Sequence, residues 1–144
     1  MHAKSPKQEV EELMDDVLPL AKKMLEEYGE FYPYGGYMDQ NHRITHVGAQ
    51  FEGTDMPKSE ALINLLRERF REEVKKRNYK ATAVVFAVRI PPPGGNEKTD
   101  AIQICLDHHS GYSAEVFFPY QIRGNKEVIY GQVFAQKGDG LIFI

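Results

Sequence analysis

The chain has 144 residues, of which 27% are charged and 42% hydrophobic. Those are the proportions of an ordinary globular domain, and they exclude a disordered or collagen-like polymer. At this length a single core is expected, so residues 1–144 are read as one domain, and a formal net charge of −3 gives no bulk attraction to nucleic acid or to an anionic bilayer.

The opening Met1-His2-Ala3-Lys4-Ser5-Pro6 leads into a charged stretch without an apolar leader. Val10, Leu13, Met14, Val17, Ala21, Met24, Leu25 and Tyr28 then form one helical stripe. Ser5 and Gln8 have capping-box spacing, Pro6 suits the first helical position, and Gly29 is placed to end the helix in a left-handed residue. Pro19 removes one helical N–H, so a kink or a division into two helices is expected there. Phe31–Met38, the turn Asp39-Gln40-Asn41-His42 and Arg43–Ala49 read as a hairpin, with Pro33, Gly35 and Gly36 making its first strand short or bulged.

Asp55-Met56-Pro57 introduces a second helix carrying Leu62, Ile63, Leu66, Phe70 and Val74 on one side and ending near Arg77-Asn78. Between Arg67 and Lys80 seven basic residues (Arg67, Arg69, Arg71, Lys75, Lys76, Arg77, Lys80) face three acids (Glu68, Glu72, Glu73). Interleaved charges at helical spacing are read as a solvated face, and the absence of an aromatic series argues against nucleic acid.

From Thr82 the period becomes two. Val84, Phe86, Val88 and Ile90 are followed by a Pro91-Pro92-Pro93-Gly94-Gly95-Asn96 loop and three further runs, Ala101–His108, Tyr112–Tyr120 and Val128–Gln136. A three-residue loop at His109–Gly111 pairs Leu106 with Ala114, Ile104 with Val116 and Ile102 with Phe118, which makes one face continuously apolar. A two-residue loop Gly124-Asn125 would extend that face by pairing Tyr120 with Ile129, Val116 with Val133 and Ala114 with Ala135. The opposite face then holds Cys105, Phe117, Tyr130 and Phe134, a set too apolar for water alone. The final Leu141-Ile142-Phe143-Ile144 is read as finishing a strand or plugging a groove. No run reaches the roughly 18 apolar residues of a membrane span.

The fold class is therefore α+β: an antiparallel sheet of five to six strands flanked by two helices in the order α-β-β-α-β-β-β-β. That order resembles profilin-like, roadblock-type domains, which implies helices on a central sheet. Phe31-Tyr32-Pro33-Tyr34-Gly35, Asp100-Ala101-Ile102, Phe117-Phe118-Pro119-Tyr120 and Phe134-Ala135-Gln136 together resemble a set of small uncharacterised bacterial proteins. Neither resemblance carries a catalytic signature or transfers a site.

Residue chemistry points the same way. Adjacent strand residues face apart, so His108 and His109 are a poor chelating pair, and in a strand His42 and His46 stand about 13 Å apart. No metal or cofactor is expected. Cys105, the single cysteine, reads as a small buried hydrophobe in a reducing cytoplasm, and the scattered carboxylates as solvated helix charges. Phosphate-cradling, nucleophile-elbow and zincin motifs are absent, and no catalytic residue is assigned. The expected function is non-catalytic recognition of another protein, of the immunity or regulator type, with self-association as a homodimer one form of it. Its surface is expected at Phe117, Tyr130, Phe134 and Cys105, with Tyr32, Tyr34 and Tyr37 beside it. A small-ligand sensor using the same face is the alternative, and an enzyme ranks third.

Overall fold

The computed structural model describes residues 4–48, 58–76 and 78–144, so the expected helix entry Asp55-Met56-Pro57, together with Ala49 and Arg77, lies outside the described residues. Helix α1 (Pro6–Tyr28) is followed by β1 (Tyr34–Asp39), β2 (Ile44–Gly48), α2 (Ser59–Lys75), β3 (Tyr79–Ile90), β4 (Thr99–His108), β5 (Ser113–Ile122), β6 (Val128–Tyr130) and β7 (Phe134–Lys137). Class and element order agree with the expectation; the fourth late run divides in two, giving a seven-stranded sheet in the order β2-β1-β3-β4-β5, with both β6 and β7 paired to β5. Every pairing is antiparallel. Among the described residues no helix is long and apolar enough to cross a membrane.

The helices take opposite faces. Val10, Leu13, Val17, Ala21 and Leu25 of α1 pack on Ala81, Ala83, Val85, Ile102, Ile104, Leu106, Val116, Phe118 and Tyr120. Leu66 and Phe70 of α2 pack on Val84, Phe86 and Cys105. Ile142, 2% exposed, completes this second core, so the apolar tail plugs a groove, and Arg71 Nε donates to the Leu141 carbonyl at 2.7 Å.

Helix α1 begins as expected. Ser5 Oγ accepts from the Gln8 N–H and Gln8 Oε1 accepts from the Ser5 N–H, while Gly29 ends the helix at φ 74°. Pro19 does not divide it. Instead the Tyr34 hydroxyl enters the helix ladder across the proline, accepting from Ala21 N–H at 3.0 Å and donating to the Val17 carbonyl that this amide would otherwise reach. Strand β1 is short, as expected, beginning only after Pro33, and its register with β3 shifts between Met38 and Asp39, away from its glycines. Those glycines let both helices close on the strand: a Cβ on Gly35 would meet a Phe70 ring carbon at 2.9 Å, and one on Gly36 would meet Val17 Cγ1 at 2.6 Å.

The first late hairpin has the derived register, with Leu106 opposite Ala114, Ile104 opposite Val116 and Gly111 at φ 97°. The second does not. Arg123 and Glu127 close a three-residue loop, Lys126 takes the left-handed position at φ 67°, and Asn125 Oδ1 accepts from the Glu127 N–H at 3.2 Å. The expectation assigned the turn to glycine, but a lysine supplies the positive φ, lengthening the loop by one residue. Tyr120 therefore pairs with Tyr130 rather than Ile129. A further slip at Gly131–Val133 sets Val116 opposite Ala135 and Ala114 opposite Lys137, leaving Val133 unpaired with Val116 and 48% exposed.

Candidate functional site

Alternation along the sheet sends Phe117 to the α2 side, where its ring stacks on Phe134 at 4.8 Å. Helix α2 covers this face over Val84, Phe86 and Cys105 and stops short of Phe134, which is only half-buried. Beyond it a groove of about 820 Å³ runs between the β3–β4 loop and the far sheet edge. Pro92, Pro93, Pro119, Val133 and Phe134 supply its apolar surface, with Gln121 and Gln132 among its polar groups. Phe117 and Phe134 thus share the expected face, but Phe117 is buried and only Phe134 lines the groove.

The other expected members separate. Tyr130 is corrected to the opposite face by the longer β5–β6 turn: it packs against the α1 core with Lys22 Nζ 4.6 Å from its ring centre. Cys105 lies under α2, and burial pushes its thiol up to about 11, the reverse of a nucleophile. Tyr34 is buried, and desolvation raises its phenol well above the ordinary value. Tyr37 stacks on Tyr79 at 3.8 Å beside α2, and Tyr32 is exposed in the segment before β1, a strand that β3 and β4 separate from β5.

A polar cluster that the sequence reading missed sits on the α1 face. Glu9, 5% exposed, is no solvated helix charge: Oε1 is 3.0 Å from His108 Nε2, and Oε2 is 2.9 Å from Lys80 Nζ and 3.3 Å from His42 Nδ1. Lys80 Nζ also lies 3.0 Å from His42 Nε2. His108 Nδ1 meets both Ser110 Oγ, at 2.9 Å, and the Ser110 N–H, at 3.0 Å. Lys80 reaches Glu9 because β3 slips one residue against β1, Met38 pairing with Ala81 and Asp39 with Tyr79. The extra residue, Lys80, turns to the α1 side instead of joining the basic stretch of α2. Burial alone would raise the Glu9 carboxyl, yet hydrogen bonds from Lys80 and His108, with the charge of Lys80, hold it below the ordinary value. Burial pushes His108 down, His109 and Lys80 adding to it against the pull of Glu9. The signal available was position: Glu9 precedes Leu13 and Val17 by four and eight residues, on the buried stripe itself.

His42 and His46 do not chelate; each meets α1, His42 at Glu9 and His46 at Asp16, 3.1 Å away. The two acids are seven residues apart on the helix, about 10 Å, so the β1–β2 turn meets one and β2 the other. Among the described residues no group of three or more His, Cys, Asp and Glu is arranged to hold a metal ion. Ser110, His108 and Glu9 have the residue types of a nucleophile, base and orienting acid. However, the neighbouring amides are spent within the turn, Gly111 N–H on the His108 carbonyl and Tyr112 N–H on Ser110 Oγ, so no pair faces outward as an oxyanion site. Across the sheet Asp107 is buried, which raises its carboxyl, and accepts from Ser113 Oγ at 2.9 Å.

The chain matches no family model, no curated protein and no solved structure. Function must therefore be read from its own groove and cluster.

Proposed function

We infer that the protein acts by binding, taking an extended segment of another protein into the groove beside Phe134. One observation carries this reading: α2 leaves the Phe134 end of the second face uncovered, with Phe117 buried against it, and the proline-rich β3–β4 loop walls that end into a groove of about 820 Å³. Its lining suits a peptide. Phe134, Val133 and three prolines offer rigid apolar area, while Gln121 and Gln132 each carry a donor and an acceptor that match a peptide backbone. The neighbouring β6 and β7 form the sheet edge, where an extended chain finds unpaired backbone groups.

The test is a peptide library displayed against the full chain, with selected peptides mapped by NMR shift changes. Binding should perturb Pro92-flanking amides, Gln121, Gln132 and Phe134. Phe134→Asp should weaken it by about tenfold or more, the loss expected of a central aromatic anchor, while unfolding stays cooperative. Peptides that map to the Glu9 cluster or to α1, or that bind Phe134→Asp equally well, would refute the reading.

A further inference from the structure

Hydrogen-bond logic fixes the state of both histidines around Glu9. A backbone N–H only donates, so the Ser110 amide, 3.0 Å from His108 Nδ1, requires a lone pair there. The ring proton is then on Nε2, donated to Glu9 Oε1. An ammonium likewise only donates, so Lys80 requires a lone pair on His42 Nε2, which leaves the ring proton on Nδ1, 3.3 Å from Glu9 Oε2. His108 is neutral in this arrangement and has no nitrogen to spare.

We propose that this cluster is a proton-operated latch: with His108 neutral it holds the β4–β5 turn closed on the ring that meets the first turn of α1, and a proton taken up by His108 releases that turn. The incoming proton has one place on that ring, Nδ1, where the new N–H faces the Ser110 amide, donor against donor. Ser110 Oγ, 2.9 Å away, can accept it, but the amide loses its partner and the His109–Gly111 turn has to re-form. The groups facing His108 come from each element around it: Glu9 from α1, His42 from the β1–β2 turn, Lys80 from β3 and His109, its ring stacked at 4.5 Å, from the β4–β5 turn. Glu9 draws a proton in, and burial with Lys80 and His109 opposes it, so the latch opens on the acid side of the ordinary histidine value of 6.5.

The experiment is an NMR titration of the ¹⁵N-labelled full chain from about pH 8 to about pH 5, the range in which histidine changes charge, following ring nitrogens and backbone amides together. At the upper limit His108 should be the neutral Nε2–H tautomer and His42 the Nδ1–H tautomer. On acidification the His108 ring and the Ser110 and Tyr112 amides should shift with one shared midpoint below 6.5, before sheet amides such as Val85 and Ile104 move. His108→Gln keeps an N–H for Glu9 and has no titrating nitrogen, so it should abolish the transition at Ser110 and Tyr112. Should that variant fail to fold, the wild-type shared midpoint decides alone. Any of three results overturns the latch: His108 as the Nδ1–H tautomer, a ring that titrates with both amides unmoved, or an unchanged amide transition in His108→Gln.

Discussion

Tyr130 lies on the α1 side of the sheet with Lys22 above its ring, and its hydroxyl has no hydrogen-bond partner among the described residues. Desolvation raises its phenol above the ordinary value, with Glu26 adding to the effect, which keeps the group neutral across the physiological range. Its contribution is therefore the ring and not the oxygen. Tyr130→Phe removes an unpaired polar atom and should leave stability equal or slightly higher. Tyr130→Ala removes the ring and its cation contact and should cost about 1–3 kcal/mol of stability. Neither should weaken peptide binding in the groove, because Tyr130 faces away from Phe134. Urea unfolding paired with peptide titration checks both, and a Tyr130→Ala protein of unchanged stability that no longer binds would return Tyr130 to the contact surface.

Both helices press, from opposite faces of the sheet, on strand β1. Its consecutive glycines face opposite ways, Gly35 under Phe70 of α2 and Gly36 under Val17 of α1, while Tyr34 beside them enters the α1 ladder. A methyl group at Gly36 has no free space and meets a β-branched side chain with few alternative rotamers, inside a helix that Tyr34 already holds. Gly36→Ala should consequently destabilise by about 1–3 kcal/mol, the usual cost of overpacking, although in an open strand the same change would be favourable. Val17→Ala in the same chain should recover part of the loss by making room, a compensation that chemical denaturation of the two single variants and the double would read directly. Additive losses would show that Gly36 does not owe its place to Val17. The sequence marked these glycines as irregularities because a pattern along one strand cannot reveal what presses on it from other elements.

Over the whole molecule, what was legible in the sequence is what neighbours in the chain decide. The Ser5–Gln8 cap, the Gly29 stop and the β4–β5 register all follow from residues within one turn or hairpin. The β5–β6 register escaped because Lys126, not Gly124, takes the left-handed position, and the Glu9–His108 contact escaped because it joins residues 99 apart. That contact nevertheless shapes the stability of the fold as pH changes. His108 has a folded pKa below 6.5, so the unfolded chain takes up the proton first, and stability is full above 6.5 and falls as pH drops through it. Glu9 is also lowered, from 4.5, so its contribution is present above 4.5 and is lost below it. Asp107 has the opposite sign: burial raises its pKa above 3.8, so its charged form burdens the fold at neutral pH and protonation relieves that as pH falls towards 3.8. The melting temperature should therefore begin to fall near 6.5, before either carboxylate protonates in the unfolded chain. His108→Gln should flatten this first limb, since glutamine cannot charge. Asp107→Asn, which keeps an acceptor for Ser113, should raise the melting temperature at neutral pH and leave the histidine limb in place. Calorimetric scans of the three proteins across the range separate these contributions, and a wild-type melting temperature that stays level until the carboxylates titrate would show that burial of His108 carries no penalty on charging.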